Sequence, residues 1–81
     1  MADANALKDQ GNKAFAAKDY DRAIELFSQG IALDPSNHVL YSNRSAAHAG
    51  KKEWTQALAD AEEVRRIYSH RVSSFMYLRK A

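Results

Sequence analysis

The sequence predicts an all-α fold of stacked helical hairpins. Three observations carry that expectation. Helix formers dominate, with 15 Ala against one Pro and three Gly in 81 residues. Apolar residues recur at helical rather than strand spacing: Ala23, Ile24 and Phe27 form a stripe that Ala57, Leu58 and Ala61 repeat. The chain also matches itself at a shift of 34 residues, with Tyr20 on Trp54, Ala23 on Ala57, Ile24 on Leu58 and Leu33 on Ile67.

Each element is set by local signals. The first helix is expected from about Ala4 to Ala17, capped by Asp3. Lys18-Asp19 turns the chain, and Asp19 caps a second helix from about Tyr20 to Leu33. Asp34-Pro35-Ser36-Asn37 breaks it, because proline lacks the helix donor, and Ser36 or Asn37 caps the next helix. That third helix covers about His38 to Ala49 and ends at Gly50-Lys51-Lys52. A fourth runs from about Trp54 to Ile67, and the repeat phase places a fifth from about Arg71 to the last residue. The expected organisation is one domain over residues 1–81: repeat one at about 4–37, repeat two at about 38–71, and a partial third at about 71–81. Each hairpin has an apolar face that only a neighbour covers.

Composition narrows the function. With 46% hydrophobic and 27% charged residues, the chain reads as a small globular domain. It has no Cys, so thiolate metal sites and redox pairs are excluded. The longest apolar runs, Ala14 to Ala17 and Phe75 to Leu78, are far short of the roughly 20 residues that cross a bilayer. No secretory leader pattern opens the sequence, and a cytoplasmic location is the expectation. Residues 65–81 carry five Lys/Arg and no acid, a pattern also compatible with nucleic acid or anionic lipid. A solvated helix end explains it more simply, because no aromatic-basic interleaving or reader motif accompanies the charge, so neither partner is expected. His38, His48 and His70 lack metal-ligand spacing, and His48 is expected in the core or at a groove edge. Asp60, Glu62 and Glu63 are expected on a solvated outer face. No nucleophile elbow, phosphate loop or metalloprotease motif is present, so neither catalysis nor a cofactor or metal is expected.

Polar residues on the first helix of each hairpin are the candidate site. Lys8 and Asn12 are four apart and share a face outside the stripe of Leu7, Gly11 and Ala14. On the third helix, Asn43 and Arg44 sit between Tyr41, Ser42 and Ser45. A lysine and two amides converging on one groove make an anion-binding surface, although solvated or capping roles account for the same residues.

The 34-residue period, with Gly11, Ala23, Phe27 and Pro35 at small, small, aromatic and proline positions, resembles the tetratricopeptide repeat. Segments 7–15 (Leu-Lys-Asp-Gln-Gly-Asn-Lys-Ala-Phe) and 37–47 (Asn-His-Val-Leu-Tyr-Ser-Asn-Arg-Ser-Ala-Ala) resemble the first such module of the Hsp-organising, or stress-inducible, co-chaperones. The resemblance runs from about Leu7 to Ile67. It implies a right-handed superhelical array that binds the Glu-Glu-Val-Asp tail of heat shock protein 70 or 90 in a carboxylate clamp. Lys8, Asn12 and Asn43 match clamp positions, and Phe15, Ala46 and Ala49 match positions lining the groove. The family's two further cations, on a third inner helix, are not matched. The 34-residue phase places Ser73 and Tyr77 there, whereas a two-residue insertion aligns Arg79 with the family's arginine and leaves Phe75 at the lysine position. Arg79 and, less directly, Arg71 are the remaining candidates. The resemblance therefore implies tail binding weaker than that of a three-repeat module. The uncovered apolar run at 75–78 also suggests self-association.

Overall fold

The computed structural model describes the backbone of residues 3–80 and the side chains of residues 3–68. Four helices form it: α1 (Ala4–Ala16), α2 (Tyr20–Leu33), α3 (His38–Gly50) and α4 (Trp54–Lys80). The described residues contain no strand. Helix α1 packs on α2, α3 on α4, and α2 on α3, while α1 and α3 touch only lightly. The molecule is thus two hairpins in series, with α1 and α3 side by side.

The caps fall where short polar side chains occupy the entry positions. Asp3 accepts from the Ala6 amide at 2.8 Å, Asp19 from Arg22 at 3.3 Å, and Asn37 from Val39 at 3.0 Å. Asn37, not Ser36, therefore caps α3. The 34-residue symmetry extends to the backbone: Lys18 and Lys52, one period apart, both take φ of 62°. Both sit in the left-handed region that lets a hairpin turn directly after a helix.

The core lies where the first hairpin meets α3. Ala23, Phe27, Leu40 and Ala47 are fully buried, with Ile24 and Ile31 packed against them. Gly11 allows this packing. A Cβ there would stand 2.4 Å from Cε1 of Phe27, so only a residue without one lets α1 rest on that ring. Arg44 links three helices. Its Nε and Nη2 donate to Asp60 at 2.8 and 2.6 Å, and Nη1 donates to Ser28 at 3.1 Å. Ser45 donates to the Ala57 carbonyl at 2.7 Å, so α3 is pinned to α4 at two points.

Two expectations are corrected. No separate fifth helix forms, because α4 continues through Ser69 and His70 to Lys80. At the junction between the hairpins, Asp34-Pro35 breaks the chain; one period later the sequence reads Tyr68-Ser69, with no proline or glycine to interrupt the hydrogen-bond ladder. The second concerns Asp60, which is 4% exposed rather than on a solvated face. Its carboxylate is buried because the Arg44 guanidinium lies against it. Glu62 is exposed as expected.

The second copy of the apolar stripe is also only partly covered. Ala57 is buried, but Leu58 is 60% exposed and Ala61 is exposed, whereas Ala23 and Phe27 are fully buried. Helix α2 has α3 laid across it, and among the described residues α4 packs only on α3.

Candidate functional site: a cleft between α1 and α3

A cleft of about 130 Å³ is lined by Asn12 and Phe15 of α1, Phe27 of α2, and Asn43 and Ala46 of α3. The Phe27 ring forms its apolar floor. Gly11 brings α1 close to that floor, and the helical period then turns Asn12 and Phe15 toward α3.

The two asparagines meet across the cleft. Asn43 Nδ2 donates to Asn12 Oδ1 at 3.1 Å, joining residues 31 apart in sequence. This bond sets the orientation of both amides. Both N–H groups of Asn12 and the second of Asn43 remain without a protein partner among the described residues. Lys8 lies one turn before Asn12 on the same helix, half-buried, and makes no ion pair among the described residues. Neutral N–H donors next to an apolar floor, with an ammonium one turn away, suit a ligand with a carboxylate beside an aliphatic group.

Four of the expected site residues, Asn12, Asn43, Phe15 and Ala46, are thus brought to one cleft. Lys8 is adjacent along α1. Ala49 is half-buried one turn further along α3 and does not wall this cleft. The side chains of Arg71 and Arg79 lie outside the described residues. Phe27, expected only as a core residue, proves to be the cleft floor; its place opposite Gly11 was the available signal.

Arg44, next to Asn43 in sequence, points elsewhere. It pairs with buried Asp60 and lies 5.5 Å over the Tyr41 ring, so it supports α3 and leaves the cleft to Asn43. The Asp60 hydrogen bond raises its pKa further above the ordinary arginine value. Behind this pair, His48 Nδ1 donates to Glu53 Oε1 at 2.9 Å, and its Nε2 stands 3.8 Å from Asp60. That hydrogen bond, aided by Lys51, holds the Glu53 carboxyl below its usual range. Lys51 also bonds Asp21, which raises its own pKa and ties the α3–α4 turn to the start of α2. His48 is thus half-buried against α4 beside Asp60, outside both the core cluster and the cleft lining, and no metal-binding cluster occurs among the described residues.

Comparison with known proteins agrees with this architecture. Residues 4–37 match the tetratricopeptide repeat. The chain is 58% identical over 59 residues to Hsp70-Hsp90 organizing protein 1 of Glycine max, which covers 73% of this chain and 10% of that protein. It is 54% identical over 65 residues to heat shock protein STI1 of Saccharomyces cerevisiae, covering 79% of this chain and 11% of that protein. Small glutamine-rich tetratricopeptide repeat-containing protein 2 of the same yeast is 51% identical over 61 residues, covering 75% of this chain and 18% of that protein. The chain spans about a tenth of the length of the first two and less than a fifth of the third. No described helix is long and apolar enough to cross a membrane.

Proposed function

We propose that the chain, whose residues 4–37 match the tetratricopeptide repeat and which over 73% of its length is similar to a tenth of an Hsp70-Hsp90 organizing protein, is a cytoplasmic, non-catalytic co-chaperone module. Its ligand is the C-terminal Glu-Glu-Val-Asp tail of heat shock protein 70 or 90. The observation that carries this reading is the Asn12–Asn43 bridge over an apolar floor, with Lys8 one turn away. In this account Lys8 Nζ supplies charge to the terminal carboxylate. Asn12 and Asn43 donate to its oxygens, and Phe15 and Ala46 receive an aliphatic side chain of the tail, with the buried Phe27 ring behind them. Arg44 and Asp60 act as positioning residues for Asn43.

Affinity is expected to be lower than in a complete module, because α4 does not turn back at residues 68–71 to add cations from a third inner helix. Each hydrogen bond to a charged ligand group is worth about 1.5–3 kcal/mol, or roughly tenfold and upward in Kd. Calorimetric titration with a Glu-Glu-Val-Asp peptide, beside the same peptide amidated at its C-terminus, tests the proposal. Binding should vanish on amidation and weaken about tenfold in Lys8→Ala and in Asn43→Ala. Arg79→Ala separates a three-residue site, which it leaves unchanged, from one completed by α4. Equal binding of the free and amidated peptides, or unchanged isotherms for both Lys8→Ala and Asn43→Ala, would refute the carboxylate reading.

A further inference from the structure

The outer face of α4 carries a second unoccupied surface. Trp54, Leu58, Ala61 and Arg65 fall at i, i+4, i+7 and i+11, a continuous stripe about 16 Å long. Trp54 is 64% and Leu58 60% exposed. A cleft of about 220 Å³ runs along the stripe, lined by Leu58, Ala61, Glu62 and Arg65. These residues stand one period after Tyr20, Ile24, Phe27 and Ile31 of α2, which are half-buried or buried. Two helices cover that face of α2: α1, through Gly11 against Phe27 and Phe15 against Tyr20, and α3, through Gly50 against Tyr20, whereas α4 has only α3 against it among the described residues. By the internal repeat, the face of α4 is shaped to receive a helix as well.

The pattern also identifies which helix. Leu58 and Ala61 are symmetric about a point between residues 59 and 60, and so are Trp54 and Arg65. An antiparallel copy of the same stripe, related by a two-fold axis through that point, sets leucine against alanine in the centre. At each end it sets the guanidinium of one copy over the indole of the other, a cation–π pair. The stripe is therefore complementary to itself in its pattern, large against small at the centre and cation against indole at each end. We infer that two copies of this chain associate through the outer face of α4, antiparallel, with Leu58 and Ala61 at the centre and Trp54 facing Arg65 at both ends.

A single helix seam lies at the small end of specific interfaces, below about 1,200 Å², so the dimer is a weak one that forms at high micromolar concentration. Analytical ultracentrifugation of the 81-residue chain should show the mass rising from 9.1 kDa toward twice that value with concentration. Trp54 is the sole tryptophan, so its emission should shift to the blue along the same concentration series. Leu58→Glu and Ala61→Glu alter exposed positions and should keep the parent circular dichroism while raising the association midpoint at least tenfold. Arg65→Glu should raise it less. A constant mass of 9.1 kDa up to about 1 mM overturns the inference. So does association that persists unchanged in Leu58→Glu, because the contact then lies elsewhere. The peptide titration probes α1 and α3, so failure of either proposal leaves the other standing.

Discussion

Removing the Asp60 carboxylate tests whether the second hairpin depends on a buried ion pair. In Asp60→Ala, Arg44 loses two charge-assisted bonds, at 2.6 and 2.8 Å, and keeps only Ser28 and the Tyr41 face. The Arg44 side chain is 23% exposed and that of Asp60 6%, so the arginine cannot be fully hydrated where it lies. Breaking a buried pair from one side costs about 3–5 kcal/mol, and partial access to water places this case near 3 kcal/mol. Total stability for a domain this size is about 4–12 kcal/mol. At about 4–8 °C per kcal/mol, the melting temperature should fall by roughly 12–24 °C. Thermal and urea denaturation followed by far-UV circular dichroism measures this directly. A companion variant, Arg44→Met with Asp60→Leu, removes both charges and should recover most of the loss, because it leaves no ion stranded. A change below about 0.5 kcal/mol in Asp60→Ala would refute the reasoning, since that is the response of a surface substitution.

Two further perturbations act on single contacts. Gly11→Ala drives a methyl into the Phe27 ring, with the nearest carbon 2.4 Å away, and should destabilise by about 1–3 kcal/mol in urea titrations. It should also weaken tail binding, since Phe27 is the cleft floor. The Glu53 carboxyl, held below its usual range by the His48 hydrogen bond, favours the folded state above the ordinary glutamate pKa of about 4.3. That contribution is lost as pH falls through the lower folded value, so stability should drop below about pH 4.3 less steeply in Glu53→Gln than in the parent.

How far the sequence discloses the molecule depends on whether the determinant is local. Asp3, Asp19 and Asn37 cap helices by bonding amides two or three residues ahead, so their roles are readable from spacing alone. Helical periodicity places Lys8 and Asn12 on one face of α1 but leaves solvated or capping roles open, and it was the family resemblance that singled them out together with Phe15 and Ala46. The 34-residue repeat then places Asn43 on the neighbouring inner helix. Asp60 was not legible. A carboxylate on an outer helix looks solvated until its partner is known, and Arg44 stands 16 residues earlier on another helix. The expected break near residue 70 came from carrying the repeat phase forward, whereas the backbone followed the residues actually present. Repeat phase predicts where a turn belongs, but a proline or glycine is what makes one.

That single backbone choice connects the two unoccupied surfaces. A turn at residues 68–71 would lay the following segment antiparallel to α4, as Asp34-Pro35 lets α3 fold back on α2. The same reversal would bury Trp54, Leu58 and Ala61 and return the cations at 71, 79 and 80 toward the side where α1 and α3 form the cleft. In the continuous helix that reversal does not occur. The chain beyond Tyr68 runs on for 12 residues, about 18 Å along the axis of α4. His38 of α3 meets Tyr68 edge to face, with ring centroids 6.1 Å apart. In the inferred dimer the partner's α4 covers residues 54–65, the stretch that a turn would have covered from within. The proposed weak carboxylate site and the inferred self-complementary α4 face thus trace to one uninterrupted hydrogen-bond ladder.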